Sequence, residues 1–293
     1  MTEPLSSHRR HELVGIALVA AATAVWSMTG FFTRALGTDL WTTLAGRSAF
    51  GLLVLTGLFV ATHGRESLAA FRSMGRWGVA HAAASVVCAL TTISSLYNTS
   101  VANNAVIGAT TPFAAAAMAW FFLGERVPSR TLLAGAGALV GVGVVVSGSL
   151  GGGHLLGDLL AVGMMLSFAG MVVISRARPT MPVAPPNILA VAINLAITAP
   201  LADFASIGPR DGGLLAAFGF SNFVLAGMLF LAGSRRIPAA DSTLIVALDI
   251  VFGPALVWAV FGEAPTTAGL FGGAIVFVAV VANVLAGADR GAR

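Results

Sequence analysis

The sequence predicts an all-α, polytopic membrane protein: ten transmembrane helices in two inverted five-helix repeats. Three observations carry this. First, 57% of the residues are hydrophobic and only 10% are charged, with mean hydropathy +0.91, too few charges to cover a water-exposed surface. Second, the apolar residues fall into ten runs of about 20, the length that crosses roughly 30 Å of hydrocarbon as a helix. Third, a nine-residue phrase occurs twice: AMAWFFLGE at 117–125 and ALVWAVFGE at 255–263, with Ala, Trp, Gly and Glu in one register.

The first run, 13–34, follows Arg9 and Arg10 and contains Ala22-Thr23-Ala24, which together imitate a secretory signal and its cleavage site. The run continues through Phe32, so it reads as a retained helix. The other runs are 40–61, 77–97, 101–123, 130–148, 156–175, 187–206, 212–232, 241–261 and 266–287. Barrel strands would be about ten residues long with alternating polarity, and these runs show neither property. The longest connections are His63–Arg76 and the proline-rich stretch 176–186, neither long enough for a soluble domain.

All 16 basic residues are arginine. With the N-terminus inside, 13 of them fall on the inner side, Arg34 and Arg210 fall outside, and Arg47 lies within a span. The positive-inside rule then puts both termini in the cytoplasm. Arginines scattered between apolar runs are a topology signal, and no nucleic-acid partner is expected. The single cysteine, Cys88, excludes a disulfide framework and a cysteine-based metal cluster.

At the 138-residue offset, Ile107/Ile245, Ala109/Ala247, Ala117/Ala255, Trp120/Trp258, Gly124/Gly262 and Glu125/Glu263 coincide. A second match, at an offset of 142, pairs Gly15/Gly157, Leu18/Leu160, Arg34/Arg176 and Ala35/Ala177, with Trp26 facing Phe168. Helices 1 and 4 thus echo helices 6 and 9. The halves divide as 1–150 and 151–293. An odd number of spans per copy forces the second copy to insert upside down, an arrangement typical of transporters that rock two halves about a midplane site.

The stretch LYNTSVANNAVIGATTPFAAAAMAWFFLGERV (96–127) and its following Gly-rich helix resemble the EamA-type half of the drug/metabolite transporter superfamily. The resemblance covers essentially the whole chain as two five-helix halves. It is similar to bacterial amino-acid and metabolite exporters, the aromatic amino-acid group above all. This implies a secondary transporter in the inner membrane, not an enzyme, with an amino acid or similar metabolite as partner and no cofactor. Proton coupling, direction of transport and oligomeric state stay open. One departure is that Pro112 faces Ile250 while Pro254 faces Ala116, so the two kinks are displaced.

Glu125 and Glu263 each end a helix just before a short turn, where a carboxylate can cap the orphan N–H groups of the next helix. They are expected to cap and to fix a hinge, with Pro112 and Pro254 as the kinks. Polar groups inside spans are costly and usually face a cavity or one another. Asp249 lies deepest, eight residues beyond Asp241, and suits a substrate ammonium, a proton, or a structural hydrogen bond. Arg47 is expected to snorkel outward beside Trp41 or to pair a carboxylate. His81, Tyr97, Asn98, Asn194 and Asn222, with the aromatics Trp26, Phe168 and Trp258, complete the candidate cavity lining. Each has a plainer reading as packing, interfacial anchor or inter-helix bond. No metal site is expected. Gly137-xxx-Gly141 and Gly269-xxx-Gly273 assign helices 5 and 10 to close helix contact rather than to the cavity.

Three rival classes remain, and one of them, a passive scaffold or receptor, is not excluded but does not explain two inverted halves. An integral-membrane enzyme would need clustered polar residues, and no His-Glu-x-x-His, Gly-x-Ser-x-Gly or P-loop occurs. A channel would need a repeated polar filter, and none is seen.

Overall fold

The computed structural model describes residues 5–149, 153–234, 236–237, 245–246 and 248–291; side chains are described from residue 12 to 284, apart from 231, 234 and those in the gaps. Among these residues every regular element is helical. The first half comprises α1 (Leu5–Ala35), α2 (Leu40–His63), a short surface helix α3 (Ser67–Ser73), α4 (Gly75–Asn98), α5 (Val101–Gly108), α6 (Thr111–Leu123) and α7 (Ser129–Ser149). The second comprises α8 (Leu155–Ala177), α9 (Ala184–Thr198), α10 (Pro209–Phe220), α11 (Ala226–Ser234), α12 (Asp249–Phe261) and α13 (Thr267–Gly291). Nine segments of the described chain are long and apolar enough to cross a membrane, and α12 is a shorter apolar helix. The protein is a multi-pass membrane protein. Residues 241–244 and 247, which the sequence assigns to the ninth span, lie outside the described residues.

The packing pairs repeat under exchange of the halves. Helix α4 packs on α8, as α11 packs on α1; α6 packs on α8, as α12 packs on α1; α9 packs on α4, as α10 packs on α2. The pairs α2–α9, α7–α13 and α5–α12 map onto themselves. Helices α6 and α12 also begin and end 138 residues apart, at Thr111/Asp249 and Leu123/Phe261. The glycine of each Gly-Glu phrase explains the shared stop: Gly124 (φ 68°) and Gly262 (φ 72°) take the left-handed conformation, and their N–H groups return to the Trp120 and Trp258 carbonyls. A residue with a Cβ is strained in that conformation.

Three expectations need correction. The fourth span is two helices, interrupted at Ala109–Thr110, so Pro112 starts α6 near its first turn rather than kinking a continuous helix. Proline is well suited to that place because the first N–H groups have no helical partner. Pro254, by contrast, sits inside α12, buried. Helices α7 and α13 do pack closely, as expected, but of the four motif glycines only Gly141 is at the closest approach, opposite Gly272, where an added Cβ would lie 2.7 and 2.5 Å from the opposing carbonyl oxygen. The eighth span contains a π-helical segment, Ser221–Leu225, between α10 and α11. Such segments concentrate at functional sites.

Candidate functional site

The two ends of the bundle differ. One end holds the α1–α2 turn, the C-terminus of α4 and the C-terminus of α12. There Phe32, Leu44, Ile93, Leu96, Val101, Leu215, Phe218 and Val257 belong to one buried cluster, with Phe32 and Phe218 stacked at 4.9 Å between centroids. Above it runs a polar network. Arg34 donates to Glu263 (2.6 Å) and to the carbonyls of Leu96 and Thr99. Glu263 also accepts the Val101 N–H at 2.9 Å. Thr99 donates to the fully buried Asp158 (2.6 Å), which also accepts from Asn103 (3.2 Å). Tyr97 donates to the Thr38 carbonyl and meets the Thr43 hydroxyl, both at 2.8 Å. This end is closed.

At the opposite end, where α8 finishes and α4 and α9 begin, a cavity of about 530 Å³ opens. His81, Phe168, Arg176, Arg178, Asn187 and Phe230 are among its lining residues. Trp26 packs against Phe230, the rings tilted 48° with centroids 5.4 Å apart. Arg178 lies over the Trp77 ring at 5.0 Å, and Arg176 pairs with Glu125 at 3.0 Å. The walls are largely apolar, with Arg176 and Arg178 among them.

The structure therefore brings His81, Phe168 and, through Phe230, Trp26 to one place. It does not bring the other candidates there. Tyr97 and Asn98 belong to the closed end; Asn98 donates to the Ser94 carbonyl at 2.7 Å. Asn222, in the π segment, donates to Thr29 at 2.8 Å and so ties α1 to the second half. Asn194 is 2% exposed, with its side-chain oxygen unpartnered. Trp258 is 59% exposed and outside the cavity lining. Trp120 is likewise 62% exposed, so the tryptophans of the repeated phrase face outward. Asp249 is half-buried at the first turn of α12 and accepts a hydrogen bond from Ser27 of α1.

The glutamates differ most from expectation. Neither Glu125 nor Glu263 is seen capping the helix that follows it; Thr266 caps α13 through the Gly269 N–H. Because Gly124 and Gly262 turn the chain sharply, each carboxylate reaches the other half instead. Glu263 of the second half binds Arg34 of the first, and Glu125 of the first binds Arg176 of the second. These are the same two residue types that coincide in the sequence repeat, so the pairs are counterparts at opposite ends. They are not equally engaged: the side chains of Arg34 and Glu263 are 25% and 26% exposed, those of Arg176 and Glu125 57% and 42%. The signal for these partners lay in the Arg34/Arg176 coincidence, which marks the repeat but does not by itself name a contact. Asp158, one acid in the first turn of α8, gave no local sign of its role.

Comparison with known families decides the classification: the sequence model of the EamA-like transporter family matches twice, at residues 13–147 and 155–285. The chain belongs to the EamA-like transporter family. A solved structure described only as "Crystal structure of protein" shares the EamA-like fold at TM-score 0.64 and 18% identity, over 95% of this chain and 97% of that one. A search of curated proteins finds no match. For an EamA-like chain the two matched segments are the two halves described above, each contributing one arginine and one glutamate to the paired ends.

Proposed function

We propose that this EamA-family protein is a secondary exporter of small amphiphilic metabolites, amino acids among them, that works by alternating access in a bacterial inner membrane with both termini cytoplasmic. The observation that carries the reading is the unequal pair of Arg–Glu latches beside a cavity open at one end. Two rocking halves must seal one end while opening the other, and each seal should be built from counterpart residues. Here Arg34–Glu263 is clamped and reinforced by the Val101 N–H, the Thr99 carbonyl and the aromatic core below. Arg176–Glu125 is a surface pair at the cavity mouth. In this reading the open end faces the cytoplasm, where an exporter loads. Trp26, Phe168 and Phe230 receive the apolar body, while His81, Arg176 and Arg178 meet the polar head. A channel reading would need both ends passable at once, which the clamped end opposes.

The test is counterflow in proteoliposomes with a panel of labelled amino acids and aromatic metabolites. Saturable exchange that trans-loaded solute accelerates is expected, and it should fall in His81→Ala and Phe168→Ala with folded yield retained. Exchange no faster than in empty liposomes for every solute would refute the reading.

A further inference from the structure

Arg47 is the most deeply buried cation in the described chain. It is 4% exposed, so of the two expectations from sequence, snorkelling to the membrane surface and pairing a carboxylate, the first does not hold. Its guanidinium is stacked near Phe218 (5.2 Å) and Phe223 (5.4 Å), and one nitrogen makes a long contact to the Ala89 carbonyl (3.5 Å). Among the described residues no carboxylate pairs with it. Among the described residues its Nε has no hydrogen-bond partner, and neither has Ser48 Oγ beside it on α2 or Asn194 Oδ1 on α9, the helix packed against α2. An ionised group out of water with neither counter-charge nor full hydrogen bonding is costly, and such groups inside membranes usually mark a substrate path.

The cavity points to it along three walls. On α4, His81 lines the cavity and Ala89 lies eight residues on; on α9, Asn187 lines it and Asn194 lies seven on; on the rod through the π segment, Phe230 lines it and Phe223 lies seven back. On α9 seven residues return to nearly the same helix face about 10 Å along the axis, whereas eight on α4 turn about 80° away from it and the wider π turns shift the face of the rod. The α9 stripe therefore leads from the cavity to Asn194, and the α4 and π-segment walls run inward to the depth of Ala89 and Phe223, which touch Arg47. Aromatic faces supply only part of the missing counter-charge.

We infer that Arg47 is the inner receptor for the carboxylate of the transported solute, reached when the cavity deepens between α2, α4, α9 and the π segment. The planar fork of Arg47 suits a carboxylate bidentately, and the orphaned Nε is one of the donors required. The inference rests on the transporter reading for its access route and narrows the substrate to amphiphilic carboxylates.

The experiment compares matched solutes that differ only in charge: phenylacetate and phenylacetamide, indole-3-acetate and its amide, with phenylalanine and leucine alongside. Purified protein is assayed for thermal stabilisation, for protection of the native Cys88 from alkylation, and for counterflow. Cys88 is half-buried on α4, next to the Ala89 contact of Arg47. Expected: carboxylates stabilise the wild type and slow Cys88 alkylation, while the amides do neither. In Arg47→Gln, carboxylate affinity falls about ten- to hundredfold, the scale of one lost charge-assisted bond, and in Arg47→Lys it falls less. If Arg47→Gln does not fold, the Cys88 protection pattern in the wild type and the Arg47→Lys affinity still decide. Amides binding as well as carboxylates, absence of any carboxylate effect on the wild type, or full carboxylate affinity in a folded Arg47→Gln would each overturn the site. Carboxylate binding without counterflow would leave the site standing and remove the transporter reading; counterflow of neutral solutes alone would do the reverse.

Discussion

Replacing Glu263 by Gln removes the charge from the clamped latch while keeping its shape. The glutamate accepts two bonds from Arg34, at 2.6 and 3.4 Å, and one from the Val101 N–H at 2.9 Å. A buried hydrogen bond to a charged group contributes about 1.5–3 kcal/mol. With a quarter of each side chain exposed, solvent screening brings the pair closer to about 1–2 kcal/mol. The glutamine oxygen still accepts from Val101, so that cap weakens rather than vanishes. Since 1.4 kcal/mol is tenfold in an equilibrium constant, the population open at this end should rise about five- to thirtyfold. Spin labels at Trp41→Cys and Ala264→Cys, with Cys88→Ser, report the distance across that end; a longer component should grow in Glu263→Gln. Glu125→Gln at the exposed latch should produce the opposite, smaller shift. The charge swap Arg34→Glu with Glu263→Arg restores the ion pair but not the cap, because an arginine cannot accept from the Val101 N–H. Its recovery should therefore be partial. An unchanged distance distribution in Glu263→Gln, or full recovery in the swap, would refute the latch argument.

Gly272→Val places a side chain 2.5 Å from the Gly141 carbonyl, which as backbone cannot swing aside; about 1–3 kcal/mol of stability should be lost as a lower melting temperature, whereas Gly137→Ala, whose nearest neighbour is 3.8 Å away, should be nearly neutral. Asp39→Ala removes the N-cap of α2 and should cost about 1 kcal/mol in thermal unfolding. Burial pushes the Asp39 carboxyl up, but bonds from the Thr42 hydroxyl and the Thr42 and Trp41 N–H groups hold it below its ordinary 3.8. Its contribution is thus present above that value and lost as pH falls through the lower folded one, so the melting difference between wild type and Asp39→Ala should shrink in acid. Asp249→Asn keeps the Ser27 contact without the charge; affinity for solutes bearing an ammonium should fall while their uncharged analogues are unaffected, and unchanged transport with unchanged pH dependence would remove Asp249 from the mechanism. Reporter fusions at Gly153 should read periplasmic and at Arg293 cytoplasmic, the reverse being fatal to the proposed orientation.

Much of the fold was legible because its determinants are local. Apolar run length marks the spans, and the Trp-x-x-x-Gly-Glu phrase marks the repeat through a backbone requirement at Gly124 and Gly262. What stayed hidden is long-range or aperiodic. Glu263 and Arg34 are 229 residues apart, so no window of sequence contains the pair. The break at Ala109–Thr110 and the π segment at Ser221–Leu225 leave the apolar pattern continuous. Within the candidate site, His81 and Phe168 were legible as a polar group and an aromatic in apolar spans. Trp258 misled for the same reason: residue type does not reveal which side of a helix meets the neighbours.

The crossed latches also bear on ancestry. In a chain of half this length carrying one arginine and one Gly-Glu turn, neither latch could close within a single copy. Two such copies lying side by side in opposite orientations would form both latches at once, each copy supplying an arginine at one surface and a glutamate at the other. A fused gene keeps those contacts while freeing the two ends to diverge, and the contrast between a clamped Arg34–Glu263 and a solvated Arg176–Glu125 is a difference that two identical subunits could hold only by breaking their symmetry.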